Sequence, residues 1–394
     1  MPPSGITTKR ESIHTMTTAQ RNIPFIDLAA QQARIRERLD ARIAAVLDHG
    51  KYIMGPEIRE LEAALADYVG VKHAVSCASG TDALLMALMA NGIGHGDVVF
   101  TTPFTFIATA EVVALLGARV VFVDIAEDTY NIDPERLEQA IDCFSHVFGP
   151  GRLRGVIPVD LFGQPADYGP IRDIADKYGL QVWQDAAQSF GSTYKGARAG
   201  SHGDVACTSF FPAKPLGCYG DGGAVFCNDD DLAGRLTSIR VHGQGGHKYD
   251  NVRIGINGRM DTMQAAVLLE KLAIFDEEID LRNQVAARYS EGLKDKYIVP
   301  AVRDDRTSVW AQYTVRPKDG VREDIQARLK EKGVPTAVYY PKPLHLQDAF
   351  RPLNYRLGDF PVTETVMNEV FSLPMHPYLG AEDQDYVIEA LLGA

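Results

Sequence analysis

Apolar residues follow two different spacings along this chain, and the two alternate. Leu28 to His49 and Pro56 to Val69 place apolar residues every three to four positions, the spacing of an amphipathic helix. His73 to Cys77 is instead a short apolar run, which is typical of a buried strand. Similar runs return further along, and we predict strands at Asp97–Thr101, Arg119–Asp124, Gly155–Asp160, Leu180–Gln184, Val205–Phe210 and Gly223–Cys227.

The order of these elements predicts the fold class. Helical patterns start near Thr81 and at Phe104, and another runs through Ile171 and Ile174, so strands and helices alternate. Such alternation is typical of a mostly parallel sheet that is covered by helices on both faces. We therefore predict an α/β protein whose large domain, residues 23–260, is built on such a sheet.

A second, smaller region follows the predicted sheet. Helical patterns between Asp261 and Lys294 lead into it. We predict two strands and two helices there, at Gln312–Arg316, Thr336–Tyr340, Arg322–Lys332 and Asp383–Leu392. Residues 261–394 would then hold connecting helices and a small α+β C-terminal domain. Residues 1–22 are polar, and we predict that they form a flexible leader.

Composition and charge narrow the class of protein. The chain is 45% hydrophobic and 23% charged, which is ordinary for a globular protein, and its net charge of -12 opposes non-specific binding to nucleic acid or to an anionic membrane. It has no apolar run of about 18 residues that could span a bilayer. The cysteines are odd in number and form no Cys-x-x-Cys pair, so we expect reduced thiols, a cytoplasmic protein and no metal site.

A lysine and an acid occupy positions typical of a pyridoxal phosphate enzyme. The run Leu180–Gln184 would place Asp185 at the carboxyl end of a buried strand, where ligands bind in open α/β sheets. A carboxylate there keeps the pyridine ring protonated, and Lys214 would hold the cofactor aldehyde as a Schiff base. Alone, Asp185 could be a helix cap and Lys214 a solvated side chain. However, Lys214 lies between Pro212 and Pro215, which restrict the backbone around it.

The helix predicted near Thr81 offers a second candidate site. Ser79 or Thr81 could cap it, which leaves backbone N–H groups free at its start. Such a helix start binds phosphate groups well. The alternative is a plain helix cap without a ligand.

Several ordered motifs resemble those of the DegT/StrS family of nucleotide-sugar aminotransferases, which have the aspartate-aminotransferase (type I) fold. The resemblance covers the chain from Pro24 to its C-terminus. The motifs are Ser79-Gly-Thr-Asp-Ala83, Thr105-Phe-Ile-Ala-Thr109, Asp185-Ala-Ala-Gln188, Ser209-Phe-Phe-Pro-Ala-Lys214, Gly220-Asp-Gly-Gly223, Gly255-Ile-Asn-Gly-Arg-Met260 and Tyr340-Pro-Lys-Pro-Leu344.

The resemblance implies a role for each residue around the cofactor. Lys214 would be the catalytic lysine, Asp185 would pair with the ring nitrogen and Gln188 would hydrogen-bond the ring hydroxyl. The phosphate would be held by Gly80, Thr81 and Ser209. In these roles the residues would bind pyridoxal 5'-phosphate.

Two further cofactor residues rest on the resemblance and have ordinary alternatives. Phe106 matches an aromatic residue that stacks on the cofactor, although an aromatic beside Ile107 is more often part of a core. Asn257 matches an asparagine that reaches the phosphate from the neighbouring subunit, and its alternative is a turn asparagine between glycines. The first interpretation of Asn257 implies a homodimer with shared active sites.

A finer match around Lys214 and His242 indicates the substrate. It resembles the branch of the family that uses UDP-2-acetamido-2-deoxy-3-oxo-glucuronate, with L-glutamate as amino donor, to make 3-amino sugars for surface polysaccharide. Arg259 and Tyr340 are the candidate substrate residues, and the alternative for Arg259 is a surface ion pair. Some relatives have His in place of Tyr339.

Three other functions stay open from the sequence. The first is amination at C4 of a 4-keto-6-deoxy sugar nucleotide by the same residues. The second is sugar dehydration, which Lys214 disfavours because the dehydrating relatives carry His at that position. The third is a regulatory protein on the same fold.

Overall fold

The computed structural model describes residue 21 and residues 23–393, and the predicted leader lies outside these residues except for Arg21. The helices are α1 Leu28–His49, α2 Pro56–Val69, α3 Gly80–Ala90, α4 Ala108–Leu115, α5 Pro134–Phe148, α6 Tyr168–Tyr178, α7 Asp230–Arg240, α8 Thr262–Leu272, α9 Phe275–Leu293, α10 Arg322–Glu331, α11 Pro361–Glu369 and α12 Ala381–Leu392. The strands are β1 His73–Cys77, β2 Val98–Thr101, β3 Arg119–Phe122, β4 Leu153–Ile157, β5 Gln181–Asp185, β6 Thr193–Tyr194, β7 Ala197–Arg198, β8 Val205–Ser209, β9 Gly223–Cys227, β10 Tyr297–Ile298, β11 Tyr313–Pro317 and β12 Phe371–Leu373.

A seven-stranded sheet in the order β1-β9-β8-β5-β4-β2-β3 organises the larger part of the chain. Strands β8, β5, β4, β2 and β3 are parallel to one another, whereas β9 runs antiparallel to both β1 and β8. This confirms the mostly parallel sheet. Because β9 is reversed, it starts at the edge where β1, β5 and β8 end. The residues that follow β1, β5 and β8 therefore lie at the same edge of the sheet as the residues that precede β9.

Helices cover both faces of this sheet, which explains the short, continuously apolar strands. On one face, residues of α3, α4 and α7 pack with strand residues in one apolar cluster. On the other face, α5 and α6 contribute to a second cluster, and α2 and α8 to a third. Helices α5, α7 and α11 are absent from the sequence-based prediction.

The C-terminal region contains the three-stranded sheet β10-β11-β12 with α9, α10 and α12 packed nearby. The predicted strand Thr336–Tyr340 is wrong: only Ala337 pairs, in an isolated bridge with Ser372. Pro341 and Pro343 follow directly, and since proline has no N–H and restricts the residue before it, the chain leaves the sheet at this point. Tyr340 is thereby free to contact the larger part of the molecule.

The boundary predicted at residue 260 stays a prediction, because the two regions share a core. Leu344, Phe350 and Phe360 pack in the same apolar cluster as strands of the large sheet. All five cysteines are free thiols. Within residues 23–393, no helix combines the length and apolar character needed to cross a bilayer.

Candidate active site

Asp185 is the last residue of β5 and is only 5% exposed. Its Oδ2 accepts a hydrogen bond from Thr109 Oγ1 over 2.9 Å, and its Oδ1 accepts one from the Ala187 N–H over 3.2 Å. Burial raises the pKa of Asp185, while these hydrogen bonds and the nearby Lys214 lower it. No helix starts at Asp185, so the helix-cap interpretation is wrong. The carboxylate is held at the sheet edge with a cation beside it.

Lys214 lies in the turn that follows β8 and is half-buried rather than solvated. Burial lowers its pKa, and the charge of Asp185 opposes that shift. Within the described part of the chain, its Nζ makes no hydrogen bond. An amine with a lowered pKa and no partner, next to a buried carboxylate, is suited to act as a nucleophile or base.

The start of α3 forms a cradle of free N–H groups. Ser79 is the N-cap, because its Oγ accepts from the Asp82 N–H over 3.0 Å. The N–H groups of Gly80 and Thr81 have no acceptor among the described residues. A Cβ on Gly80 would lie 2.6 Å from Ser209 Cβ, so only glycine allows the helix to approach the end of β8 this closely. The hydroxyl of Ser209 therefore lies beside the free N–H groups, as an anion site requires.

Gln188 connects the sheet edge to the C-terminal region. Its Oε1 accepts from the Phe162 N–H over 2.8 Å, which directs its Nε2 to donate to Tyr340 Oη over 3.1 Å. The Tyr340 ring lies 6.4 Å from the ring of Phe106. Phe106 is 56% exposed, so the interpretation of this aromatic as a core residue is wrong. It presents its ring toward the open side of the cluster, where a planar cofactor could stack.

No described contact joins the side chains of Asn257 and Arg259 to this cluster. Asn257 is exposed and pairs with Val241 in a bridge, so it is not a turn asparagine. The next residue, Gly258, accepts a hydrogen bond from the Ala78 N–H over 2.9 Å, which ties the segment to the start of the phosphate cradle. Arg259 forms no ion pair with any described residue, and its buried Nε has no partner. The surface ion pair expected as an alternative is therefore not formed.

The match to known proteins covers almost the whole described chain. Residues 33–392 match the model of the DegT/DnrJ/EryC1/StrS aminotransferase family. The chain belongs to this family. It is 53% identical over 94% of its length to the UDP-2-acetamido-2-deoxy-3-oxo-D-glucuronate aminotransferase of Pseudomonas aeruginosa, of which it covers 99%.

Solved aminotransferases of the family have the same fold. A family member from Brucella abortus superposes with a TM-score of 0.91 at 50% identity, covering 94% of this chain and 99% of that one. NtdA of Bacillus subtilis, solved with bound PMP, matches with a TM-score of 0.85 at 29% identity over 94% of this chain and 85% of that chain. These likenesses confirm the predicted aminotransferase fold and the prediction of an enzyme.

The groups around Asp185 and Lys214 fit pyridoxal phosphate, the cofactor of which PMP is the amine form. A carboxylate suits the ring nitrogen, an unpartnered amine suits the aldehyde, and the cradle at Gly80 suits the phosphate. Sequence reasoning missed Thr109, although it closes the Thr105-Phe-Ile-Ala-Thr109 motif. Its Oγ1 lies 3.1 Å from Thr105 Oγ1 and must accept there, because it donates to Asp185. The available signal was its place at the end of that motif, because Thr105 lies before the start of α4 and the pair has no helical spacing.

Proposed function

We propose that this chain transfers the amino group of L-glutamate to the ketone of UDP-2-acetamido-2-deoxy-3-oxo-glucuronate. The observation that carries the proposal is the 53% identity, over nearly the full length of both chains, to an aminotransferase named for that sugar. The cofactor prediction is confirmed by the family and by its members solved with PLP or PMP. A role in surface polysaccharide and a cytoplasmic location are part of the proposal.

The cofactor supplies an electron sink for carbanion chemistry. Asp185 would hold the proton at the ring nitrogen, and Gln188 would donate to the ring hydroxyl through the amide whose orientation Phe162 fixes. Lys214 Nζ would move the proton at the α-carbon of the donor, and later at the sugar carbon that is aminated. Burial lowers the pKa of Lys214, so that more of the amine is neutral and able to accept a proton near pH 7.

The substrate assignment is tested by offering the purified enzyme and glutamate three ketones. These are the 3-oxo uronate, a 3-oxo sugar with a neutral C6, and a 4-keto-6-deoxy sugar, each as its nucleotide. We expect the highest kcat/KM for the 3-oxo uronate, measured by mass spectrometry of the amino sugar formed. Equal or better use of the 4-keto-6-deoxy sugar would instead support amination at C4.

A regulatory protein is the second candidate, because the chain is also 43% identical over 94% of its length to a pleiotropic regulatory protein of Geobacillus stearothermophilus, of which it covers 98%. The pair of Asp185 and Lys214 favours the enzyme, because a regulator has no need for an unpartnered amine beside a buried carboxylate. Purified protein with neither a visible cofactor band nor turnover of any ketone would favour the regulator.

A homodimer with shared sites is also proposed. Apolar side chains are exposed beside the segment that carries Asn257 and Arg259: Ile254 is 84% exposed, and Ile53, which bridges to Asp261, is 51% exposed. A second copy of the chain that packs against this segment would cover these side chains. Asn257 would then lie close to the phosphate of the other subunit.

Mixing inactive variants tests this arrangement. Lys214→Ala and Asn257→Ala subunits, denatured and refolded together, form heterodimers with one intact site and one doubly damaged site. We expect activity to return to about a quarter of the wild-type value, because half of the dimers are mixed and each has one intact site. Steady-state rates before and after mixing measure it. If Asn257→Ala alone is clearly impaired and mixing restores nothing, Asn257 acts within its own subunit.

A further inference from the structure

The segment that carries Asp185 and Gln188 is held at both ends by one buried carboxylate that the proposed chemistry does not use. Asp160 follows β4 and is fully buried. Its Oδ2 accepts from Gln184 Nε2 over 2.7 Å and from Ser189 Oγ over 2.6 Å. Gln184 directly precedes Asp185, and Ser189 directly follows Gln188. A single oxygen atom therefore fixes the two residues that flank the segment.

The other oxygen of Asp160 holds the neighbouring loop. Its Oδ1 accepts from the Ala166 N–H over 2.9 Å and from Tyr168 Oη over 2.7 Å. Phe162, which orients Gln188, lies in the same loop between Asp160 and Ala166. Four donors thus converge on one carboxylate: two flank the segment that carries Asp185 and Gln188, and two belong to the loop and helix start that follow β4. Burial raises the pKa of Asp160 to about 6, and its four hydrogen bonds oppose that shift because they stabilise the charged form.

We propose that Asp160 is a positioning residue, which holds Asp185 and Gln188 in the geometry that binds the cofactor. The inference rests on the proposed function, because it assumes that these two residues face pyridoxal phosphate. Asp160 itself would touch neither cofactor nor substrate. Its backbone N–H donates to the Asp185 carbonyl over 3.0 Å, so side chain and backbone act on the same segment.

The variant Asp160→Asn breaks this arrangement in a defined way. The Ala166 N–H can only donate, so the amide oxygen takes the Oδ1 position and the amide nitrogen faces Gln184 and Ser189. Gln184 cannot turn its amide over, because its Oε1 already accepts from the Gly200 N–H over 2.9 Å. The new amide nitrogen and Gln184 Nε2, which are both donors, then face each other beside Asp185 without an acceptor between them. Ser189→Ala is the milder variant, since it removes one hydrogen bond and adds no donor.

Asp124→Asn is the matched control. Asp124 is also a buried carboxylate just beyond a parallel strand, and it accepts from the Ile125, Val362 and Thr363 N–H groups and from Thr363 Oγ1 at 2.7 to 3.0 Å. None of these donors flanks Asp185 or Gln188. The control therefore reports the cost of damaging such a carboxylate where none of its donors flanks a proposed cofactor residue.

The test measures the Kd of each apoprotein for pyridoxal phosphate, together with the thermal unfolding midpoint. We expect Asp160→Asn to raise this Kd about tenfold and Ser189→Ala to raise it about fivefold. The control Asp124→Asn should lower the unfolding midpoint but leave the Kd within about twofold of the wild-type value. An equal Kd change in both Asp→Asn variants, or none in either, would overturn the inference. If Asp160→Asn does not fold, an unchanged Kd for Ser189→Ala overturns it alone. The wild-type enzyme could bind the cofactor tightly and yet aminate none of the ketones. That result would refute the proposed substrate, but the comparison of Kd values among the variants would still test the role of Asp160.

Discussion

The variant Lys214→Ala is expected to lose the visible absorbance of the bound cofactor and to slow transamination by about 10³-fold or more, because both the covalent attachment and the proton transfer depend on its amine. The fold should persist, since Nζ of Lys214 makes no hydrogen bond within the described residues and only its backbone N–H is bound, to the Phe211 carbonyl over 2.8 Å. The measurements are the visible spectrum, the turnover rate and the unfolding midpoint.

Lys271→Met is the matched control for this variant. Lys271 is a buried lysine near the same loop, but its Nζ donates to the Gly217 carbonyl over 2.6 Å and burial lowers its pKa to about 8. We expect this variant to lower the unfolding midpoint and to keep the visible band. A Lys214→Ala protein with an unchanged band and substantial activity would show that another group holds the cofactor.

The second large effect is expected at Arg259. A guanidinium can bind a carboxylate through two parallel hydrogen bonds, and a bond to a charged group contributes about 1.5 to 3 kcal/mol, or roughly tenfold to a hundredfold in binding. Arg259 has a buried Nε without a partner and no ion pair among the described residues, so its charge is available to a ligand. We therefore expect Arg259→Ala to lower kcat/KM for the 3-oxo uronate roughly tenfold to a hundredfold. The kcat/KM for the 3-oxo sugar with a neutral C6 should change much less.

Two controls sharpen the Arg259 result. Arg259→Lys keeps the charge but not the planar pair of donors, and should recover part of the preference for the uronate. Arg136→Ala removes an exposed side chain of α5 that, among the described residues, hydrogen-bonds Gln139 alone, and it should change neither rate. If Arg259→Ala leaves the ratio of the two kcat/KM values unchanged, another residue recognises the sugar carboxylate.

Elements with local signals can be predicted from the chain without its tertiary structure. The predicted bounds of α1, α2, β1 and β9 agree with the structure, because their apolar spacing and their glycine or proline boundaries depend on neighbouring residues only. Motif order also identified Lys214 and Asp185 as one pair. Helix α5 was missed, although Asp133 caps it and Pro134 begins it, so the signal was present but not used.

Contacts between residues far apart in the chain bring the groups of the site together, and local sequence patterns do not predict them. Thr109 reaches Asp185 across 76 residues, and Gln188 reaches Tyr340 across 152 residues. The first contact exists because β2 and β5 run parallel in one sheet, so the segments that follow them meet at one edge, and no local spacing encodes that strand order. The position of Tyr340 is likewise not encoded locally. Its β-forming run favours a strand, but the prolines after it end the strand and its hydroxyl accepts a hydrogen bond from Gln188. Local periodicity fixes elements; the free energy of packing them together fixes which side chains share a site.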